Sequence, residues 1–200
     1  MSERMVMPLD ALQDTSTEAL LALYARGDPA AARVLTLRLT PLAYGLAYRM
    51  LGEVAEAEDV TQEALIRLWR IAADWRSGEA QVSTWLYRVV SNLATDRLRL
   101  RRRNGPTLDE IAEPESTAPS ASDQLQDRAR VDALQTALNR LPIRQKQAVI
   151  LRHIEGLANP EIAQIMEIST EAVESLTARG KRALSDLLAG RRAELGYNDD

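Results

Sequence analysis

The stretch that most constrains the fold is residues 104–127, because it divides the chain into two halves that must each build their own core. It contains three prolines, six carboxylates and no basic residue. Proline interrupts regular structure, and a segment this rich in carboxylates buries too little apolar surface to fold by itself. We therefore predict a flexible acidic linker at residues 104–127, between an N-terminal domain at residues 1–103 and a C-terminal domain at residues 128–200.

Both halves carry the periodicity of helices and almost none of the periodicity of strands. Apolar residues recur once per helical turn, as at Val60, Ala64 and Leu68, whereas alternating β-branched runs are missing. Thr15 and Glu18 have the spacing of a capping box for a first helix. Further helices are predicted at residues 29–51, 55–73, 83–103, 123–139, 142–156, 160–166 and 170–188. The predicted fold class is all-α, with two small helical domains.

The composition excludes several classes of site. The chain has no cysteine and a single histidine, His153, so it offers neither a disulfide framework nor a thiolate metal site. We expect no catalytic centre, no metal and no cofactor. No apolar run approaches the roughly 18 residues of a membrane span, and the opening MSERMVMPLD lacks the apolar core of a signal peptide. These features favour a cytoplasmic protein without membrane insertion.

Positive charge is concentrated at the end of one predicted helix, although the whole chain has a formal net charge of -4. Residues 97–103 hold five arginines, and the helix that leads to them has an apolar face of Leu86, Val90 and Leu93. Such a local contrast in charge is typical of a surface that binds an anionic partner. A nonspecific basic helix end is the alternative, so the charge alone does not identify nucleic acid as the partner.

Residues 160–184, PEIAQIMEISTEAVESLTARGKRAL, have the spacing of a helix-turn-helix. Ile162, Ile165 and Met166 are predicted to face inward, with Val173 packing back from the second helix. Glu167 occupies the turn position where glycine is usual, and a positive φ there would cost on the order of 1 kcal/mol. The exposed residues of the second helix include Glu171, Glu174, Ser175, Arg179, Lys181 and Arg182. The spacing favours a recognition helix in the major groove, with an ordinary helical hairpin as the alternative.

Three motifs, in this order, resemble the bacterial RNA polymerase sigma factors of the extracytoplasmic-function (ECF) group, the type with only two sigma domains. They are AEDVTQEALIRLWR at 57–70, STWLYRVVSNLATDRLR at 83–99 and LPIRQKQAVILRHIEGLANPEIAQIM at 141–166. The resemblance covers about residues 17–189. It implies an initiation factor that is not itself an enzyme. Its implied partners are core RNA polymerase, through the β′ clamp and the β flap, and promoter DNA.

The first motif resembles the polymerase-binding segment of the family. The resemblance implies that the polar residues of this helix contact the polymerase, namely Asp59, Gln62, Glu63 and Arg67. From the residues alone, the same pattern is also that of a solvated helix face with a Glu63–Arg67 pair, which stabilises a helix by a few tenths of a kcal/mol.

The segment from Asp74 to Arg103 resembles the element that recognises and melts the −10 promoter region. The resemblance implies that Trp75 and Asn92 hold one flipped base, because an unstacked base needs an aromatic wall and an amide edge. The loop that begins with Arg76 and Ser77 would read that base. Trp85 is expected in the core, whereas Tyr87 would stack on DNA or cap the bundle. The implied phosphate contacts are Arg88, Arg97, Arg99, Arg101, Arg102 and Arg103.

The C-terminal motif resembles the −35 reader, and the residues that match it are Glu171, Glu174, Ser175, Arg179, Lys181 and Arg182. Glu174 stands where the family commonly has a basic residue, which puts the −35 sequence preference in doubt. The resemblance also implies an anti-sigma factor as a partner. Two alternatives stay open: a conventional DNA-binding regulator with the C-terminal motif as its sole reader, and a helical interaction protein whose basic run binds an acidic protein.

Overall fold

The computed structural model describes residues 12–76, 81–104 and 122–189, and every regular element in those ranges is helical. The all-α prediction is therefore confirmed. None of the helices in the described ranges combines the length and the apolar character that a membrane span requires. The helices are α1 Thr17–Ala25, α2 Pro29–Leu51, α3 Val54–Ile71, α4 Val82–Asn104, α5 Ser122–Arg140, α6 Ile143–Val149, α7 Asn159–Met166 and α8 Thr170–Ala189.

The ends of the long helix α2 follow from its sequence. The Asp28 side chain accepts a hydrogen bond from the Ala30 N–H at 2.8 Å, and Pro29 takes the first helical position, where its missing N–H has no consequence. At the other end Gly52 adopts a φ of 76°, the left-handed conformation that terminates helices. The helix continues through Pro41 without interruption.

The capping box predicted for α1 is wrong. Ser16, one residue after Thr15, has the extended backbone of an N-cap, and its hydroxyl accepts from the Ala19 N–H at 3.2 Å. Glu18 instead accepts a hydrogen bond from the Val82 N–H at 3.1 Å. A residue of α1 therefore binds one of the unpaired N–H groups at the start of α4 and fixes where that helix begins.

Helices α1–α4 form the N-terminal bundle around a core of aliphatic side chains. Leu20, Leu35, Leu46, Leu68 and Leu86 are all fully or almost fully buried. Burial of a leucine side chain contributes about 1.5–3 kcal/mol, so this core supplies the main stabilisation of the bundle. The bundle holds α3 and α4 side by side, with their polar faces outward.

Helices α5–α8 form the C-terminal bundle, in which α7 and α8 make the predicted helix-turn-helix. Ile162, Ile165, Met166 and Val173 are buried, as their spacing indicates. Helix α6 continues into one π-helical turn at Ile150–Ile154. Helix α8 lies very close to α6 at Gly180, where an added Cβ would come within 2.5 Å of Val149 Cγ2. Only glycine fits at this crossing without a shift of the neighbouring side chain.

The two bundles pack against each other, a relationship that the sequence did not predict. Helix α5 and the π turn lie against α2, and α7 lies against α4. Their buried apolar side chains join into one continuous cluster. The predicted linker at residues 104–127 falls largely outside the described residues, since residues 105–121 are not described.

Candidate polymerase and nucleic-acid interfaces

The polar face of α3 carries the predicted polymerase contacts. Asp59, Gln62 and Arg67 are exposed and Glu63 is half-buried, while Val60 and Leu68 on the opposite face are buried. The Arg67 Nε donates to Glu63 Oε1 at 2.8 Å, across one helical turn. The side chains of Arg67 and Glu63 are 46% and 39% exposed, so water screens this pair and it contributes little to the stability of the fold.

Two tryptophans meet where the chain leaves α3 and approaches α4. Trp75 directly follows the 3₁₀ turn at Ala72–Asp74, and its ring lies edge-on to Trp85 with 6.1 Å between the ring centroids. Both rings are half-buried. The Trp75 Nε1 has no hydrogen-bond partner among the described residues. Trp85, expected in the core, is instead only partly buried against it, and its ring supports Trp75 from the side.

Asn92 lies on the same stripe of α4 as Trp85. Residues seven apart on a helix share a face, so Trp85, Asn92 and Arg99 align, with Arg88 beside them. Asn92 and Arg88 are exposed. The stripe therefore presents an aromatic ring, an amide and guanidinium groups in succession, which is the set of groups suited to a single-stranded nucleic acid. Arg76 is exposed at the edge of the described segment, and Ser77 lies outside the described residues.

The arginines of α4 divide into two groups. Arg101 donates through Nε to Glu56 Oε1 at 3.0 Å and through Nη1 to the Leu51 carbonyl at 3.2 Å, and Arg97 contacts Asp59 Oδ2 at 3.4 Å. These two arginines tie α4 to the start of α3 and the end of α2, so the structure gives them a bundle-stabilising role beside the predicted phosphate contact.

The second group of arginines faces water. Arg99, Arg102 and Arg103 are exposed, and within the described ranges Arg99 pairs with Asp96 of its own helix at 3.4 Å. An exposed pair between neighbouring turns is weak and is readily exchanged for another anion. These three arginines are therefore the ones best placed to meet a phosphate backbone.

The six predicted −35 residues all lie on the exposed face of α8, while Val173 holds the opposite face in the core. The Arg179 Nε donates to the Ser175 carbonyl at 3.1 Å, and Glu174 accepts from Asn159 at 3.4 Å. At the start of the helix, the backbone N–H of Glu171 and the Ser169 hydroxyl lower the pKa of the Glu171 carboxyl. Glu171 is thus an anion at neutral pH, which suits acceptance of a hydrogen bond from a cytosine amino group.

The sequence did not identify the residues that join the two bundles. Tyr87 is buried, and its hydroxyl donates to Glu155 Oε2 at 3.0 Å, so it does not stack on a nucleic acid in this arrangement. Arg88, a predicted phosphate contact, forms an ion pair with Glu167. These pairs join residues far apart in the chain, and no local spacing signals them.

Comparison with known proteins finds one protein family for each of the two bundles. Residues 35–104 match the family described as Sigma-70 region 2, and residues 131–184 match Sigma-70, region 4. The chain is 34% identical over 150 residues to the ECF RNA polymerase sigma factor SigW of Bacillus subtilis, covering 70% of this chain and 80% of that protein. It is 32% identical over 174 residues to the RNA polymerase sigma-H factor of Pseudomonas aeruginosa, covering 82% and 89%.

A further relative is the ECF RNA polymerase sigma factor SigE of Mycolicibacterium smegmatis, 35% identical over 155 residues. That match covers 76% of this chain and only 59% of the relative. Among solved structures, CnrH in complex with the cytosolic domain of CnrY shares the fold with a TM-score of 0.66 at 22% identity, over 87% of this chain and 97% of that one. The chain belongs to the ECF group of the sigma-70 family of RNA polymerase sigma factors.

Proposed function

We propose that this chain is an alternative sigma factor, which binds core RNA polymerase and directs it to a set of promoters with characteristic −10 and −35 elements. The observation that carries the proposal is that both sigma-70 regions are present, in order, in one chain. In the structure, each region presents a helix whose exposed face has groups suited to DNA, namely α4 and α8. Polymer synthesis belongs to the polymerase, so the chain itself needs no catalytic group.

Docking on the polymerase is assigned to the outer face of α3. Asp59, Gln62 and Arg67 project from a helix whose other face is locked in the core, so the face is rigid before it binds. A preformed surface loses little conformational entropy on association. The β′ clamp is the proposed partner of this face, and the β flap is the proposed partner of the C-terminal bundle.

Recognition of the −10 element is assigned to Trp75 and to the stripe of α4. Opening a duplex takes a base out of the stack, which costs a few kcal/mol. The protein therefore needs a site that holds the unstacked base. The Trp75 ring supplies a stacking surface, and the exposed Asn92 amide supplies a donor and an acceptor for a base edge. The exposed Arg99, Arg102 and Arg103 continue along the helix toward the phosphates of the same strand.

Recognition of the −35 element is assigned to α8, as the second helix of a helix-turn-helix in the major groove. Arg179 is the leading candidate for a contact to a base or a phosphate, with Lys181 and Arg182 directed at phosphates. The carboxylates of Glu171 and Glu174 repel the phosphate backbone of DNA, so their proposed role is to favour cytosine at particular positions of the −35 element.

Run-off transcription with purified core polymerase tests the proposal. A sigma factor gives transcripts that start at a defined site and that require both the chain and the polymerase. A conventional helix-turn-helix regulator would instead bind an operator tightly without polymerase. A helical interaction protein would neither copurify with polymerase nor support a transcript. Promoter binding by the holoenzyme is expected to weaken steeply with salt, because phosphate contacts release counterions.

We also propose that the protein acts in the cytoplasm and is held inactive by an anti-sigma factor. One structural neighbour, at 23% identity and a TM-score of 0.60, is a sigma factor RpoE in complex with the anti-sigma factor NepR from Bartonella quintana. An inhibitor that engages both bundles would protect amides of both in hydrogen exchange, and protection of one bundle alone would contradict this part of the proposal.

A further inference from the structure

We propose that Glu18 of α1 is a positioning residue for recognition of the −10 element, which keeps the first turn of α4 closed and thereby holds Trp85 against Trp75. The inference rests on the proposed function, because it concerns the base site assigned to Trp75. Glu18 lies before residue 35, where the match to Sigma-70 region 2 begins, so that match assigns it no role.

The start of α4 is capped from another helix. Helix α4 begins at Val82, so the residue that precedes it is Gln81, and glutamine is not among the side chains that favour this position. The Glu18 Oε1 atom accepts a hydrogen bond from the Val82 N–H at 3.1 Å, from a position 64 residues earlier in the chain. A carboxylate also suits the partial positive charge at a helix N-terminus. Glu18 therefore supplies the acceptor for the first N–H group of α4.

The capped turn is the one that carries Trp85. The Trp85 N–H donates to the Gln81 carbonyl at 3.1 Å, which closes the first turn of α4. The N–H groups that precede it have no partner within the helix, so the turn frays unless they are bound elsewhere. The Trp85 ring lies edge-on to Trp75, with 6.1 Å between the ring centroids. Fraying of the first turn consequently moves the ring that supports Trp75.

Helix α1 is held firmly enough to position its neighbours. Leu20 and Leu21 are fully buried in the core of the N-terminal bundle. Helix α1 also packs against the 3₁₀ turn at Ala72–Asp74, which directly precedes Trp75. One short helix thus contacts both the turn that leads to Trp75 and the helix that carries Trp85.

The contact of Glu18 bears on the stacking surface more than on the amide of the base site. Asn92 follows Trp85 by seven residues, which is about 10 Å along the helix axis, so it keeps its place when only the first turn frays. The proposed polymerase contacts lie on α3, away from the start of α4. Loss of the Glu18 bond is therefore expected to loosen the selection of the base and to leave polymerase docking intact.

Selection of promoters by the holoenzyme tests this role. Core polymerase with the full-length chain is mixed with duplex DNA randomised over the −10 and −35 elements, and the DNA held in heparin-resistant complexes is sequenced. Glu18→Ala should lower the ratio of the best to the worst base at the most selective −10 position at least about fivefold, the lower end of what one stacking contact contributes. The −35 preferences and the affinity for core polymerase should stay those of the parent. A residue that only stabilised the fold would lower the yield for all sequences alike.

Two matched variants separate the hydrogen bond from the charge. Glu18→Gln keeps an acceptor for the Val82 N–H but has no charge, so it should keep the −10 preferences of the parent. Asp14→Ala removes an exposed carboxylate that lies just before α1 and should also leave them unchanged. A loss of preference in either variant that equals the loss in Glu18→Ala would overturn the hydrogen-bond mechanism.

Hydrogen exchange of the Val82 amide, measured by NMR on the free full-length protein, tests the contact itself. Glu18→Ala should speed this exchange at least about tenfold, because a hydrogen bond to a charged group is lost. Glu18→Gln should recover most of the protection. Equal exchange rates in the parent and in Glu18→Ala would refute the cap.

Failure of this inference is distinguishable from failure of the proposed function. If the parent with core polymerase retains no promoter DNA, the sigma assignment and the role that rests on it fail together, while the exchange rates still decide whether Glu18 caps α4. If the parent selects a −10 sequence and Glu18→Ala selects it with equal preference, the sigma assignment stands and the positioning role of Glu18 is refuted.

Discussion

Lys146 makes the stability of the folded protein dependent on pH. Its ammonium group is buried between the bundles, and this burial, followed by the nearby Arg101 and Arg102, lowers its pKa from 10.5 to about 8. In the unfolded chain the same lysine keeps its ordinary pKa. Between these two values the unfolded chain binds more protons than the folded one, so stability rises as the pH increases.

The magnitude follows from the two pKa values. With a folded pKa of about 8 and an unfolded pKa of 10.5, a change from about pH 7 to about pH 9 should raise the free energy of unfolding by about 1 kcal/mol. The groups that face Lys146 are the Met50 carbonyl, the Asn139 side chain and the guanidinium groups of Arg101 and Arg102.

Urea unfolding of the wild type and of Lys146→Met at both pH values measures the effect. Methionine keeps the volume of the lysine stem but has no proton to lose, so the difference between the two proteins isolates Lys146 from every other group. We expect the wild type to gain about 1 kcal/mol more than the variant on the change to high pH. Equal gains in the two proteins would refute the burial of a charged Lys146 between the bundles.

Three further predictions concern individual positions. Gly180→Ala places a methyl group 2.5 Å from Val149 Cγ2 and should lower the free energy of unfolding by about 1–3 kcal/mol; an unchanged thermal midpoint would contradict the tight crossing of α6 and α8. Glu167→Gly removes a non-glycine residue from a φ of 53°, so it should raise the free energy of unfolding by about 1 kcal/mol and with it the thermal midpoint. A lower midpoint would mean that the ion pair of Glu167 with Arg88 outweighs the backbone strain. Arg101→Ala should destabilise the N-terminal bundle by about 2 kcal/mol or more, because its charged hydrogen bonds are lost. Arg99→Ala should leave the stability unchanged, because Arg99 is exposed. Equal effects of the two variants in chemical denaturation would contradict the division of the arginines into two groups.

Much of the fold followed from local patterns. Helical spacing predicted α2 to within its observed bounds, Pro29–Leu51, because a capping aspartate, a first-turn proline and a left-handed glycine all act within a few residues. The inward residues Ile162 and Val173 of the helix-turn-helix followed from periodicity. Glu167 has a φ of 53° at the turn position where glycine is usual.

The docking of the two bundles did not follow from the sequence. Arg49 and Glu155 are 106 residues apart, and their meeting depends on how two preformed surfaces fit. For the same reason, the sequence predicts only phosphate contacts for Arg97 and Arg101, because their carboxylate partners lie on another helix. The domain boundaries and the assignment of single residues to polymerase or DNA stay predictions.

The central claim, that α4 and Trp75 open a promoter on behalf of a bound polymerase, is tested most directly by separating the two steps. Open-complex formation, measured by permanganate reactivity of unpaired thymines, is compared with core-polymerase binding for Trp75→Ala combined with Asn92→Ala. We expect opening to fall at least about tenfold, the loss of about 1.4 kcal/mol, with core binding unchanged. Arg67→Glu on α3 should instead weaken core-polymerase binding and leave promoter opening by the bound polymerase unchanged. Wild-type opening by the Trp75 and Asn92 double variant would contradict the account.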